Sequence, residues 1–81
     1  MPVPSYEDLM PLVLSRAKTE QRVRDAVAAI ADALNLTDEE RNETIPSGQT
    51  TLISSRVAWA VTYLVQAGLL KRPRRGHFVI T

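Results

Sequence analysis

A chain of 81 residues has room for one hydrophobic core, so the sequence predicts a single domain over residues 1–81. It contains no cysteine, which excludes disulfides and thiolate metal sites and is consistent with the reducing cytoplasm. No stretch approaches the roughly 18 uninterrupted apolar residues of a membrane span, and the start lacks the basic and apolar segments of a targeting signal, so we expect no contact with a membrane.

The net charge of +1 conceals a division between an acidic and a basic half of the chain. Residues 1–43 carry all nine acids and five of the ten lysines and arginines, a net charge of −4. Residues 44–81 carry the other five cations and no acid, a net charge of +5. A domain divided in this way can orient itself in the field of a phosphate backbone while it stays nearly neutral overall.

The first predicted helix begins after Ser5, whose hydroxyl can accept from the free N–H groups of the first turn, and it runs to about Lys18. Pro11 lacks an N–H, so we expect either a loose first turn before it or a kink. Apolar residues recur every three or four positions and predict one buried side, formed by Leu9, Leu12, Val13 and Ala17.

The second predicted helix covers residues 23–36. Its apolar stripe contains Val27, Ile30 and either Ala33 or Leu34, with charged residues on the other side. Five alanines in this segment favour a helix and let a neighbouring helix approach closely.

A short acidic helix is expected next, because Thr37 and Glu40 have the spacing of a capping box. It ends near Glu43, and the Ile-Pro-Ser-Gly segment at residues 45–48 then forms a turn. This turn separates the acidic half from the longest helix.

The longest predicted helix spans residues 51–67 and ends at Gly68, which suits the left-handed conformation that follows a helix. Its apolar side chains fall on one side of the helix, at Ile53, Val57, Ala60, Val61 and Leu64. The opposite side is small and polar apart from one tryptophan, and it carries Ser55, Ala58, Trp59, Thr62 and Gln66.

A β-hairpin is predicted at residues 69–80, with a Pro-Arg-Arg-Gly turn between its strands and cations at Lys71, Arg72, Arg74 and Arg75. A hairpin kept basic for solubility is the simpler explanation, but residues 44–81 contain no acid to balance it, so we favour contact with an anionic partner. The expected fold class is mainly α with a small C-terminal β-hairpin, the plan of the winged helix, a helix-turn-helix variant.

Four segments also carry a family resemblance. They are Pro4-x-Tyr6-x-x-Leu9-Met10-x-x-Val13, Ile45-Pro46-Ser47-Gly48, Arg56-Val57-x-Trp59-Ala60-x-x-Tyr63-Leu64-x-x-Ala67-Gly68-Leu69-Leu70 and Arg72-Pro73-x-Arg75-Gly76-x-Phe78-x-Ile80-Thr81. Together they resemble the N-terminal domain of Mrr-type restriction endonucleases, a type IV, modification-dependent class. The tryptophan-containing helix and the Pro-Arg-Arg-Gly turn are the most specific parts, and residues 16–24 fit least well.

The resemblance implies a winged-helix module that binds double-stranded DNA, attached to a nuclease domain of the PD-(D/E)XK type in enzymes that restrict DNA bearing foreign methylation. The sequence itself contains no separate acid-acid-lysine nuclease core. We therefore expect a non-catalytic DNA-recognition domain without a metal or another cofactor, which is a fragment or a free-standing relative of such an endonuclease.

The expected DNA-binding residues form two groups that must share one face of the domain. The first group lies at the start and on the outward side of the longest helix, where short polar and apolar groups meet base edges or phosphates: Gln49, Thr50, Thr51, Ser54, Ser55, Trp59 and Thr62. Arg56 is expected to clamp the DNA backbone beside this helix. The second group contacts phosphates or enters the minor groove, and it consists of the hairpin cations Lys71, Arg72, Arg74 and Arg75.

Three side chains have competing interpretations. Trp59 fits packing inside the fold as well as contact with DNA, and Tyr63 is expected to be structural. His77 is explained by its strand position, because no clustered cysteines or carboxylates complete a metal site around it.

The competing function is a protein-interaction or dimerisation winged helix without DNA contact. The acidic cluster at residues 38–43 suits a basic partner or a neighbouring nuclease domain, and a homodimer through helix faces is compatible with either function. Salt separates the two functions, because binding through phosphates weakens steeply as the salt concentration rises.

Overall fold

Four helices and three short strands make up residues 3–81, the part of the chain that the computed structural model describes. In chain order they are α1 (Tyr6–Arg16), β1 (Gln21–Arg22), α2 (Val23–Ala33), α3 (Asp38–Asn42), α4 (Leu52–Gln66), β2 (Leu70–Lys71) and β3 (His77–Ile80). The expectation of a mainly helical fold with a small C-terminal β-hairpin is confirmed. None of the helices within this range is long and apolar enough to cross a membrane.

Two helices begin at the N-cap residues that the sequence predicted, Ser5 for α1 and Thr37 for α3. The Ser5 hydroxyl accepts from the N–H of Asp8 at 3.4 Å. Thr37 and Glu40 form both bonds of the capping box, 2.8 Å from the Thr37 N–H to Glu40 Oε1 and 3.1 Å from the Glu40 N–H to Thr37 Oγ1. The bond from the Thr37 backbone holds the pKa of the Glu40 carboxyl below its ordinary value, because it stabilises the ionised form.

Pro11 lies inside α1, and the turn before it is helical. The N–H of Leu9 donates to the carbonyl of Ser5 at 3.1 Å, so the loose first turn that the sequence allowed is not observed. The proline removes the hydrogen bond that would reach the carbonyl of Glu7. Because the Pro11 ring is exposed, the missing hydrogen bond lies on the solvent side of α1.

The hydrophobic core is built around α4, which contacts α1, α2, α3 and β2. α1 contributes Leu9 and Val13 to this core, and β3 contributes Phe78, all with 0% of their surface exposed. The buried side chains of α4 are the five that its periodicity predicted: Ile53, Val57, Ala60, Val61 and Leu64. The orientation of α4 in the fold was therefore correctly predicted.

α2 ends at Ala33, earlier than predicted. Of the two alternatives for the end of its apolar stripe, Leu34 is half-buried against the core and Ala33 is exposed. The helix stops because Asn35 takes a positive φ of 55°, after which the N–H of Leu36 returns to the carbonyl of Ala31 at 3.1 Å.

A third strand joins the predicted hairpin. β1 consists of Gln21 and Arg22, which pair antiparallel with Phe78 and His77 of β3. β2 pairs with the other edge of β3, so the strand order is β1-β3-β2. A strand of two residues shows no alternation of apolar and polar positions, so periodicity could not reveal it. Its pairing places the start of α2 against the hairpin.

Gly68 follows α4 with a positive φ of 80°, as predicted. The N–H of Leu69 donates to the carbonyl of Leu64 at 3.0 Å, which is the longer bond of a Schellman motif. α2 closes in the same way, with Asn35 at the corresponding position.

Replacing Gly68 with alanine should lower the free energy of unfolding by about 1–2 kcal/mol. No atom lies within 4 Å of an added Cβ, so the cost is the strain of the left-handed backbone alone. Gly68→Asn is the matched control and should lose less, because asparagine tolerates this conformation, as Asn35 does. Urea denaturation of the two variants measures the difference, and equal losses would contradict the assignment of the cost to backbone strain.

Candidate nucleic-acid interface

The outward side of α4 forms a shallow groove of about 400 Å³. None of the residues that line it is charged, and four of them carry hydroxyl groups that can both donate and accept hydrogen bonds. The lining consists of Thr50, Ser54, Ser55, Ala58, Trp59 and Thr62. All of these except Ala58 belong to the set of residues expected to contact DNA, and the fold brings them together.

The loop before α4 gives three expected contact residues different environments. Gln49 is exposed, and Thr50 lines the groove while its carbonyl accepts from the N–H of Ile45 at 3.1 Å. Thr51 caps α4, since its Oγ1 accepts from the N–H of Ser54 at 3.3 Å. One lone pair of the Thr51 hydroxyl therefore serves the fold, and its proton and second lone pair are left for a ligand.

Trp59 lies on the surface, with 54% of the residue exposed. The centroids of the Trp59 and Tyr63 rings are 6.0 Å apart, and Tyr63 in turn stacks on Tyr6 of α1 at 4.7 Å. Partial burial, with a smaller contribution from Tyr63, raises the pKa of the Tyr6 hydroxyl. Tyr63 thus links two helices, whereas the indole of Trp59 is open to a partner.

Arg72 joins the hairpin to the outward side of α4. Its Nη2 donates to Oγ1 of Thr62 at 2.9 Å, and the Thr62 hydroxyl donates in turn to the carbonyl of Ala58 at 3.0 Å. Thr62 and Ala58 both line the groove. One hairpin cation therefore borders the groove, and the two groups of expected contact residues meet at this bond.

The other hairpin cations are distributed around the loop. Lys71 is exposed on β2, and Arg75 lines a second cleft beyond the hairpin. Nε of Arg74 lies 3.0 Å from Oε2 of Glu20, a residue of the acidic half. The argument that no acid balances the basic turn is therefore wrong for Arg74, because the fold supplies the acid from a distant part of the sequence.

Arg56 is held by the fold on a different side of α4. Its Nη1 donates to the carbonyl of Val3 and, at 3.1 Å, to the carbonyl of Pro4. Arg56 is half-buried, and Val3 is part of the hydrophobic core with 4% of its surface exposed. The guanidinium group thus fastens the segment before α1 to α4, and it does not line the groove.

The second cleft, of about 430 Å³, lies beside the hairpin loop and was not predicted from the sequence. The N–H of Val23 donates to the carbonyl of Gly76 at 2.8 Å and holds the start of α2 against the loop. The cleft is lined by Arg22, Val23, Arg24, Arg75, Gly76 and His77. The available signal was the Arg-Val-Arg segment at residues 22–24, which in the sequence has the pattern of an ordinary solvated helix start.

Comparison with known proteins identifies the family of the chain. Residues 6–81 match the family model described as the Mrr N-terminal domain. The chain belongs to this family. One relative, the type IV methyl-directed restriction enzyme EcoKMrr of Escherichia coli strain K12, is 37% identical over 84 residues. The match covers 100% of this chain and 27% of that enzyme, so the chain spans about a quarter of its length. No solved structure matches the chain.

Replacing Arg56 with alanine in this Mrr N-terminal domain should lower the melting temperature by on the order of 10 °C. A hydrogen bond from a charged group contributes about 1.5–3 kcal/mol, and about 1 kcal/mol shifts the melting temperature of a domain of this size by roughly 4–8 °C. Arg16→Ala is the matched control, because Arg16 is exposed at the end of α1 and its loss should have little effect. Thermal unfolding followed by circular dichroism compares the variants. If Arg56→Ala melts like the wild type, Arg56 is available to a ligand after all.

Proposed function

We propose that residues 1–81 form one domain that binds double-stranded DNA as a winged helix. In this arrangement α4 is the recognition helix and the β2–β3 hairpin, residues 70–80, is the wing. The recognition helix enters the major groove, and the wing lies over the neighbouring backbone or minor groove. The pairing of β3 with β1 supports this role, because a wing anchored on both edges keeps its position beside the helix.

The hydrogen bond from Arg72 to Thr62 is the observation that carries the proposal. It holds a wing cation at the edge of the α4 groove, so one ligand can contact both. A ligand that presents hydrogen-bonding edges beside a line of negative charge is duplex DNA.

Affinity would come mainly from the wing. Lys71, Arg72 and Arg74 are exposed, and each can neutralise a phosphate and release a counterion. The side chains of Arg74 and Glu20 are 67% and 36% exposed. Exposed ion pairs of this kind contribute only about 0–1 kcal/mol, so a phosphate can replace Glu20 as the partner of Arg74 at little cost.

Preference among DNA sequences or modifications would come from the α4 groove. The hydroxyls of Ser54 and Ser55 can exchange hydrogen bonds with base edges. The indole of Trp59 suits contact with a methyl group or stacking on an extruded base. Since the relative from Escherichia coli is a methyl-directed restriction enzyme, we propose that this domain recognises methylated DNA for a nuclease domain and does not itself cleave it.

Replacing Arg72 and Arg74 together with alanine should weaken duplex binding by about tenfold or more, because two phosphate contacts are lost. The melting temperature should change little, since both side chains are exposed. The matched control is Arg72→Lys with Arg74→Lys, which keeps both charges and most of the affinity. Fluorescence anisotropy of a labelled duplex measures the binding, and an unchanged affinity in the alanine variant would remove the wing from the interface.

The single tryptophan of the chain is an intrinsic probe of the α4 groove. Duplex binding should change the emission of Trp59. Trp59→Ala should change the ratio of affinities for methylated and unmodified duplexes more than it changes their mean, whereas Trp59→Phe keeps an aromatic ring and should retain part of the preference. Adenine-methylated, cytosine-methylated and unmodified duplexes are compared, and equal losses on all three would refute recognition through this residue.

The exposure of Trp59 and Tyr63 favours one other function, a protein interface that includes a homodimer through the outward side of α4. Aromatic residues are enriched at the centres of protein interfaces. Sedimentation velocity shows whether the domain is a monomer or a dimer. A dimer formed through the outward side of α4 would compete with DNA for that surface, whereas a monomer leaves the surface open to DNA.

A further inference from the structure

We propose that the cleft beside the hairpin loop binds a further backbone phosphate of the duplex that α4 contacts. This inference rests on the proposed DNA-binding function and extends the interface to residues outside α4 and the wing. The cleft is formed by Arg22, Arg24, Arg75 and His77 around the bond between Val23 and Gly76.

Three arginines line this cleft from two distant parts of the chain. Arg22 and Arg24 flank the first residue of α2, and Arg75 comes from the wing loop. All three residues are exposed, and within residues 3–81 none of them forms an ion pair. Like charges gathered without a counter-ion repel one another, so an anion between them is stabilised. The planar guanidinium fork matches the oxygens of a phosphate group.

Glu20 is the acid that opposes an anion at this site. Its Oε2 lies 3.0 Å from Nε of Arg74 and 4.0 Å from Nε2 of His77, at the edge of the cleft. Asp25 is in the first turn of α2 but does not line the cleft. Glu20 faces both Arg74 and His77, so loss of its negative charge should strengthen the binding of a phosphate at the wing and in the cleft alike. The variants of Arg22 and Arg24, which do not contact Glu20, are therefore the ones that separate the cleft from the wing.

The cleft and the α4 groove are close enough to serve one duplex. Arg72 and Arg75 are three residues apart, so their Cα atoms are separated by at most about 11 Å. Successive phosphates of one strand advance about 3.4 Å along the helix axis, so this span corresponds to about three base pairs. A DNA backbone that lies on Arg72 therefore passes within reach of Arg75, which favours a phosphodiester of the bound duplex as the occupant of the cleft.

The test follows the backbone amide signals of the ¹⁵N-labelled domain by NMR during titration with inorganic phosphate and, separately, with a short duplex. The duplex should shift the signals of Arg24 and Gly76 together with those of the α4 groove. The double variant Arg22→Ala with Arg24→Ala should bind the duplex about tenfold more weakly, and the slope of log affinity against log salt should fall in magnitude by about one, the contribution of the one phosphate in the cleft. Glu20→Gln should bind it more tightly than the wild type.

Two further variants separate charge from folding. Arg22→Lys with Arg24→Lys keeps the charge and should keep most of the affinity, and melting curves show whether either double variant is unfolded. Arg16→Ala removes an exposed cation near the other end of β3, where the N–H of Ile80 donates to the carbonyl of Ala17 at 2.8 Å, and it should lose less than the cleft variant.

The outcomes separate the cleft from the proposed function. If the duplex shifts the groove signals but leaves the cleft signals and the affinity of the double alanine variant unchanged, the cleft proposal is overturned and DNA binding stands. If the duplex does not bind at all, both are overturned. If inorganic phosphate binds in the cleft but the duplex does not reach it, the site holds a free anion, and its assignment to the DNA backbone is wrong.

Discussion

The packing of α4 is the constraint on which the rest of the structure depends. Its apolar side, from Ile53 to Leu64, is buried against the other helices and the sheet. Full burial of a valine, leucine or isoleucine contributes about 1.5–3 kcal/mol, so a rotation of α4 would cost more than new contacts on its polar side could offset. The orientation of the core thus fixes which side chains face outward. The burial of Leu70 and Phe78 holds the hairpin beside α4, where Arg72 donates to Thr62.

The two halves of opposite charge are separate in sequence but mixed in space. β1 pairs with β3, and this places Glu20 beside Arg74 and the arginines at the start of α2 beside Arg75. The basic surface is therefore larger on one side of the loop and partly neutralised on the other. The net charges of the two halves indicate an anionic partner, but they do not show where the partner's charges would lie.

Local patterns were sufficient to predict the helices, two of the side-chain caps, the glycine that ends α4 and the buried side of α4, because each depends on residues within a few positions of one another. They did not reveal contacts between residues that are distant in sequence. Arg56 was expected to contact DNA, and its hydrogen bonds to the carbonyls of Val3 and Pro4 were not predicted. The second cleft depends on a strand of two residues, which leaves no periodic signal. The end of α2 was missed for a different, local reason, because it depends on the left-handed backbone of the single residue Asn35.

The salt dependence of duplex affinity tests the central claim most directly, because it counts the phosphates that the domain neutralises. If the hairpin cations contact the DNA backbone beside α4, the association constant of the wild-type domain should fall as the salt concentration rises. A plot of its logarithm against the logarithm of salt concentration should have a slope of about −3 to −5 or steeper, at roughly −0.9 per phosphate. A slope near zero, or no measurable binding at low salt, would contradict the assignment of this face to DNA.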